Sequence, residues 1–294
     1  MNTVKPLLSS LFLSVIIFWA SAQAISKDTD KKQKAVPTYK VIPKSEIKWQ
    51  QLNPLRGDKS PQAGTLWGDR IGPGPAGFIL KPIDGFRSPP HIHNIAYRGV
   101  VISGLLHNDD PSAEDMWMPT GSFWTQPAGG IHITAAKGNN TLAYIEVEDG
   151  FGVLPAKDAF EDKEKPVNVD ISNITWLDSS ELSRISLSTE IDPENGPKVA
   201  FLWGKQDEEQ LNGTLIKLPV GFSGEVHTSD ALFRAVTIQG QLKHSALDKN
   251  NFKVLEPGSY FGSRGKAEHQ VMCKEDIECI IYVRTKGKFD IRAS

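Results

Sequence analysis

The stretch SPPHIHNIAYRGVVISG, residues 88–104, sets two histidines one residue apart ahead of an apolar run that ends on glycine. Read as a β-strand, it turns His91, His93 and Tyr97 to one face and Ile92 and Arg98 to the other, because successive side chains alternate. A third histidine follows in GSFWTQPAGGIH, residues 121–132. The turn at Pro127, Ala128, Gly129 and Gly130 leads into a second strand and delivers His132 toward the first pair. Three neutral imidazoles suit Zn, Cu, Fe or Ni. Three protein ligands with an open position is the arrangement of a catalytic site rather than a closed structural one. A histidine alone is more often a satisfied core or surface residue; three at these spacings point to ligation.

Outward from this stretch the chain repeats itself. LWGDR at Leu66 recurs as LWGKQ at Leu202, and GFILKPIDGF at Gly77 as GTLIKLPVGF at Gly213. Gly85 and Gly221, His91 and His227, Gly104 and Gly240 keep the same offset; one residue more aligns Gly121 with Gly258 and His132 with His269. One register held over the length of a domain marks a duplication. Within each copy, short β-rich runs such as GFILKPI, AYRGVVISG and TLAYIEVE alternate with Gly, Pro, Asn and Asp, and helical periodicity is weak. Two all-β sandwiches or small barrels are expected.

At these residues the chain resembles the cupin superfamily. The first cupin signature, G-x5-H-x-H-x3-E-x6-G, falls on Gly85, His91, His93, Tyr97 and Gly104, with tyrosine in place of glutamate. The second, G-x5-P-x-G-x2-H-x3-N, falls on Gly121, Pro127, Gly129, His132 and Ala136, losing only the final asparagine. The likeness is closest to exported two-cupin (bicupin) proteins classed as a domain of unknown function. It implies an all-β fold of two tandem jelly-roll barrels and metal ligation by His91, His93 and His132. Tyr97 departs from the pattern and is expected to line the pocket. In the second copy Ser229 and Phe233 replace His93 and Tyr97, so His227 and His269 read as a degenerate site. His107 and His244, just after the signature glycines, are expected at the surface.

The expected domains are a signal peptide at 1–24, a flexible leader at 25–45, a metal-binding cupin at 46–160 and a degenerate cupin at 161–294. Lys5, an apolar run from Leu7 to Ala20 and the small residues Ala22 and Ala24 compose the signal pattern, with cleavage after Ala24. A secreted or periplasmic protein without a membrane anchor is the expectation. LPAKDAFEDKEKPVNVD, residues 154–170, reads as an interdomain linker. Cys273 and Cys279 are the only cysteines. They are either a disulfide across a hairpin, as an exported chain permits, or two buried thiols. A net charge of −2 gives no sign of a nucleic-acid partner.

Without a ligand carboxylate a divalent ion keeps its full formal charge and attracts anions. Two functions follow. One is a three-histidine, metal-dependent oxygenase of dioxygenase type, or a hydrolase or isomerase, acting on a small anionic or dicarbonyl compound. The alternative is a non-catalytic cupin that binds metal and a small ligand. A homodimer through sheet edges is compatible with either.

Overall fold

The computed structural model describes residues 36–206, 210–229, 232–246, 251–274 and 276–294. The expected signal segment and residues 25–35 of the leader lie outside them. Both copies belong to one compact unit, Ala35–Ser294, and the fold is all-β, two tandem jelly rolls.

In copy one a seven-stranded sheet runs in the order Val167–Val169, Phe123–Gln126, Tyr97–Asp109, Ile133–Val147, Ala76–Lys81, Gln62–Trp67, Trp49–Gln51. Its two longest strands, Tyr97–Asp109 and Ile133–Val147, pair antiparallel through register shifts at Val101/Ser103 and Ser103/Leu105. These breaks bend the pair from one layer of the sandwich into the other. Gly104 sits in the bend at φ 73°, and a Cβ there would collide with Thr141, so only glycine fits. Gly240 holds the equivalent place in copy two at φ 76°. A short two-stranded ladder, His91–His93 against Val153–Pro155, stands apart from the main sheet.

Copy two has two six-stranded sheets. One runs Thr38–Ile42, Tyr260–Arg264, Leu232–Gln239, Cys279–Lys286, Leu211–Leu218, Lys198–Gly204. The other runs Ile185–Ser186, Phe289–Ala293, Ser223–Thr228, Glu268–Cys273, Leu242–Ser245, Lys253–Leu255. The space between them is filled by Phe222, Phe233, Phe261, Phe289 and aliphatic neighbours.

Two sequence expectations are corrected here. Thr38–Ile42, expected within a flexible leader, is a strand whose residues pair from Thr38↔Arg264 to Ile42↔Tyr260. The charged context hid TYKVI, a β-prone run that needs only a free sheet edge to dock. Val167–Val169, expected within a linker, pairs with Phe123–Gln126 of copy one. Each copy is therefore completed by a segment from the other side of the expected boundary.

The copies pack sheet against sheet through Leu66, Ile79, Val100 and Ile102 on one side and Leu215, Val236, Ile238 and Ile280 on the other. Contacts across this junction are reciprocal. Arg98 lies 3.9 Å from the Trp203 ring centroid, and Arg234 lies 3.5 Å from that of Trp67. Trp67 donates to the Tyr144 hydroxyl at 3.1 Å, and Trp203 to that of Tyr282 at 2.9 Å. The symmetry breaks at the centre. Glu146 pairs with Gly77 and Arg284 with Gly213, the same place in each copy, and the two form a buried ion pair. Tyr144 and Tyr282 both donate to Glu146, and Arg284 also grips the Glu148 carboxylate with two nitrogens, at 2.9 and 2.8 Å.

Candidate metal centre

His91 and His132 face each other on adjacent strands and exchange both backbone hydrogen bonds, each at 3.0 Å. The backbone amide of Gly129, in the turn before His132, donates to the His93 carbonyl at 2.9 Å. These bonds bring the three rings together, with centroid separations of 4.3 Å for His91 and His132, 5.0 Å for His91 and His93, and 5.1 Å for His93 and His132. One nitrogen from each lies within 4.8 Å of the others.

Which nitrogen faces the centre is decided by what the other one does. Nδ1 of His91 meets the Pro89 carbonyl at 3.0 Å, Nδ1 of His93 the Gly152 carbonyl at 2.8 Å, and Nδ1 of His132 the Gly130 carbonyl at 2.9 Å. A carbonyl only accepts, so each Nδ1 carries the proton and each Nε2 keeps its lone pair. Burial lowers the pKa of all three rings. His132 is pushed down to about 3, first by burial and then by His91; His93 falls well below the usual value through burial, His132 and His91. The Nε2 of His132 is buried without a hydrogen-bond partner. An orphaned lone pair beside two more neutral imidazoles is a donor set that fits a divalent transition ion.

Tyr97 is buried beside His93, with ring centroids 5.1 Å apart. Its hydroxyl turns away from the cluster and donates to Asn108 Oδ1 at 2.9 Å, and burial raises its pKa far above the tyrosine norm. Asn108 holds the next links. Its Oδ1 also accepts from Thr134, its amide donates to Gln126 Oε1 at 3.0 Å, and Gln126 donates to the same Gly130 carbonyl that orients His132. Where the cupin signature has a carboxylate, this chain has a neutral network that ends on a histidine. Asn108 and Gln126 escaped the sequence reading because a polar residue on a strand does not disclose its burial.

A cavity of about 260 Å³ opens beside the cluster, lined by His91, His93 and Tyr97 together with Phe78, Leu80, Phe86, Trp124, Ile145 and Phe151. Phe151 stacks on His93 at 4.2 Å. Arg56 and Val153 complete part of the wall. Phe151, Gly152 and Val153 adjoin the expected linker, whose first residues pair with the histidine strand instead of leaving the domain.

The second copy differs by more than substitution. His227 pairs with Glu268, and His269 with Val226, one residue out of step with the His91 and His132 pairing. A slip of one sends a side chain to the opposite face. His227 and His269 therefore do not form a shared site: His227 faces outward between Glu225 at 2.8 Å and Glu268 at 3.5 Å. His269 is enclosed between His244 and Ser263, each at 3.0 Å, with Phe233 stacked at 5.1 Å. His107 and His244, expected at the surface, are buried: Tyr97–Asp109 runs on through Gly104, and beyond Gly240 a new strand, Leu242–Ser245, begins in the facing sheet. Cys273 and Cys279 are joined as a disulfide.

No curated protein matches the chain significantly. Among solved structures it is similar to a candidate dioxygenase from Nostoc punctiforme, with 13% identity, 85% of this chain and 82% of that one covered, and a TM-score of 0.59. Vicilin from hazelnut, Corylus avellana, shares 11% identity over 85% and 87% of the two chains at 0.54. A variant of Bacillus subtilis oxalate decarboxylase shares 13% over 84% and 77% at 0.51. At such identities the likeness shows the fold alone, an all-β cupin-type jelly roll. Residues 40–292 match the family model described as domain of unknown function DUF4437, and the chain belongs to that family.

Proposed function

We propose that this is an exported bicupin that holds one divalent transition metal on Nε2 of His91, His93 and His132 and acts as an oxygenase on a small anionic compound. The observation that carries the metal is the commitment of all three Nδ1 atoms to carbonyls, which leaves three converging lone pairs. When bound, the ion supplies Lewis-acid and redox chemistry. The chain supplies an apolar enclosure that limits water and, through Asn108 and Gln126, a fixed orientation for His132.

The cavity wall favours oxygenase over hydrolase or isomerase chemistry. General acid–base hydrolysis or isomerisation draws on a side chain that moves a proton, and no carboxylate or lysine lies among the described lining residues. Tyr97 keeps its proton and spends it on Asn108. The same lack of a proton carrier sustains the second reading, a protein that binds metal and ligand without turnover. Export draws support from the segment around Lys5, Ala22 and Ala24 and from the disulfide, since such bonds persist in oxidising compartments.

The test is oxygen consumption by the iron-loaded protein against diketones and aromatic acids, beside His132→Ala. Uptake that requires both iron and His132 supports the oxygenase. Metal binding with no uptake for any substrate leaves the binding protein.

A further inference from the structure

Among the described residues that line the cavity beside the histidines, the exposed Arg56 is the one arginine or lysine, on a wall that is mostly aromatic and aliphatic. Arg56 belongs to the turn Pro54–Lys59, which is closed at its base by the Ser60 amide donating to the Gly57 carbonyl. Its guanidinium carbon lies 5.5 Å from the centroid of Phe86, another lining residue. Arg56 therefore lines the same cavity as His91 and His93, and no acid is among its described lining residues.

Two of the polar groups in the wall are already engaged. Ser88 Oγ accepts from the Thr134 amide and faces His91 Nδ1, while the Thr134 hydroxyl donates to Asn108. A second charged end pressed against Phe78, Leu80, Ile145 and Phe151 would lose its water without gaining a partner there. A cavity of about 260 Å³, open at its mouth, suits a compact ligand.

We infer that the ligand is a compact monoanion, an aromatic or branched apolar carboxylate of about benzoate size, and that Arg56 is its specificity-determining residue. This rests on the reading of the cavity as the ligand site of the metal centre, and it narrows the small anionic or dicarbonyl class to one charge on an apolar body. The planar fork of arginine pairs with a carboxylate through two parallel hydrogen bonds. The carboxylate lies against Arg56, and the apolar body lies against Phe78, Leu80, Ile145 and Phe151.

Calorimetric titration with benzoate, its neutral counterpart benzamide and the dianion phthalate tests this on zinc-loaded and on chelator-stripped protein. Wild type binds benzoate in preference to both others. Arg56→Gln weakens benzoate about tenfold in both metal states, the loss of one charge-assisted contact, and leaves benzamide unchanged. Arg56→Lys restores part of the loss. Equal benzoate affinity in wild type and Arg56→Gln, tighter binding of phthalate, or no benzoate binding at all overturns the inference. Failure of the protein to take up zinc with the Arg56 dependence intact would remove the metal centre and leave this ligand class standing.

Discussion

Glu146 and Arg284 occupy one position in the two copies of the repeat and meet there as a buried ion pair at 3.3 Å. Like charges at a two-fold position would repel; opposite ones make the junction specific to two unlike halves. Removing one partner strands the other. Glu146→Gln is expected to destabilise the protein by about 3–5 kcal/mol in urea unfolding, while Glu146→Leu with Arg284→Leu recovers part of that loss. A single variant no less stable than wild type would show that the pair does not hold the halves together.

His93→Ala should abolish stoichiometric metal uptake, read by elemental analysis after dialysis, because His93 is buried and supplies one of three converging nitrogens. Tyr97→Glu should retain the metal. His227→Ala should leave metal content unchanged, since His227 and His269 lie on opposite faces of their sheet and do not share an ion. Metal lost with His227 and kept without His93 would reverse the assignment of copies.

Asn108→Leu leaves the Tyr97 hydroxyl, the Thr134 hydroxyl and Gln126 Oε1 without their partner. At about 1–3 kcal/mol for each unsatisfied buried group, the expected loss is several kcal/mol. Tyr97→Phe removes only one donor, and Asn108 Oδ1 keeps Thr134, so about 1 kcal/mol is expected. Thermal melts of the two variants should rank in that order.

His244 and His269 supply a pH dependence. Burial lowers His244 to about 4, with Lys253 adding to the effect, and lowers His269 to about 3, with His244 adding to it. Both are neutral in the folded state near neutral pH, whereas the unfolded chain protonates them from about pH 6.5 downward. Full stability is thus present above that pH and is lost as pH falls toward the folded values. Between pH 6 and 4 the two residues add up to about 2.7 kcal/mol per pH unit to the slope. The variant carrying His244→Gln and His269→Gln should show a flatter urea stability profile over this interval; an unchanged slope would place the titration elsewhere.

Cys273→Ser opens a small loop across the hairpin. Loop-closure entropy puts the loss at about 2 kcal/mol, measurable as the difference between oxidised and reduced wild type.

The duplication and the three histidines were legible in the sequence because they depend on local spacing: turn glycines recur at a fixed offset, and His91, His93 and His132 sit at signature distances. Strand pairing is a tertiary property and was not. The offset between copies changes from 136 at His227 to 137 at His269, yet nothing in either segment states which residues will face each other. The one-residue slip that separates this pair became visible only in the ladder. Arg56 and Phe151 escaped for a related reason, since they reach the cavity from segments far from the histidines in sequence. His107 and His244 follow glycines where a chain commonly turns to the surface, and sequence alone does not show that strand structure resumes beyond each of them.

The pairing of Thr38 with Arg264 sets an order of events during synthesis. Thr38–Ile42 is made early, and its partner strand, Tyr260–Arg264, is made near the end of translation. Contacts so distant in sequence form slowly. Whatever machinery handles the newborn amino terminus meets it before it is stitched down, and only the finished chain conceals it.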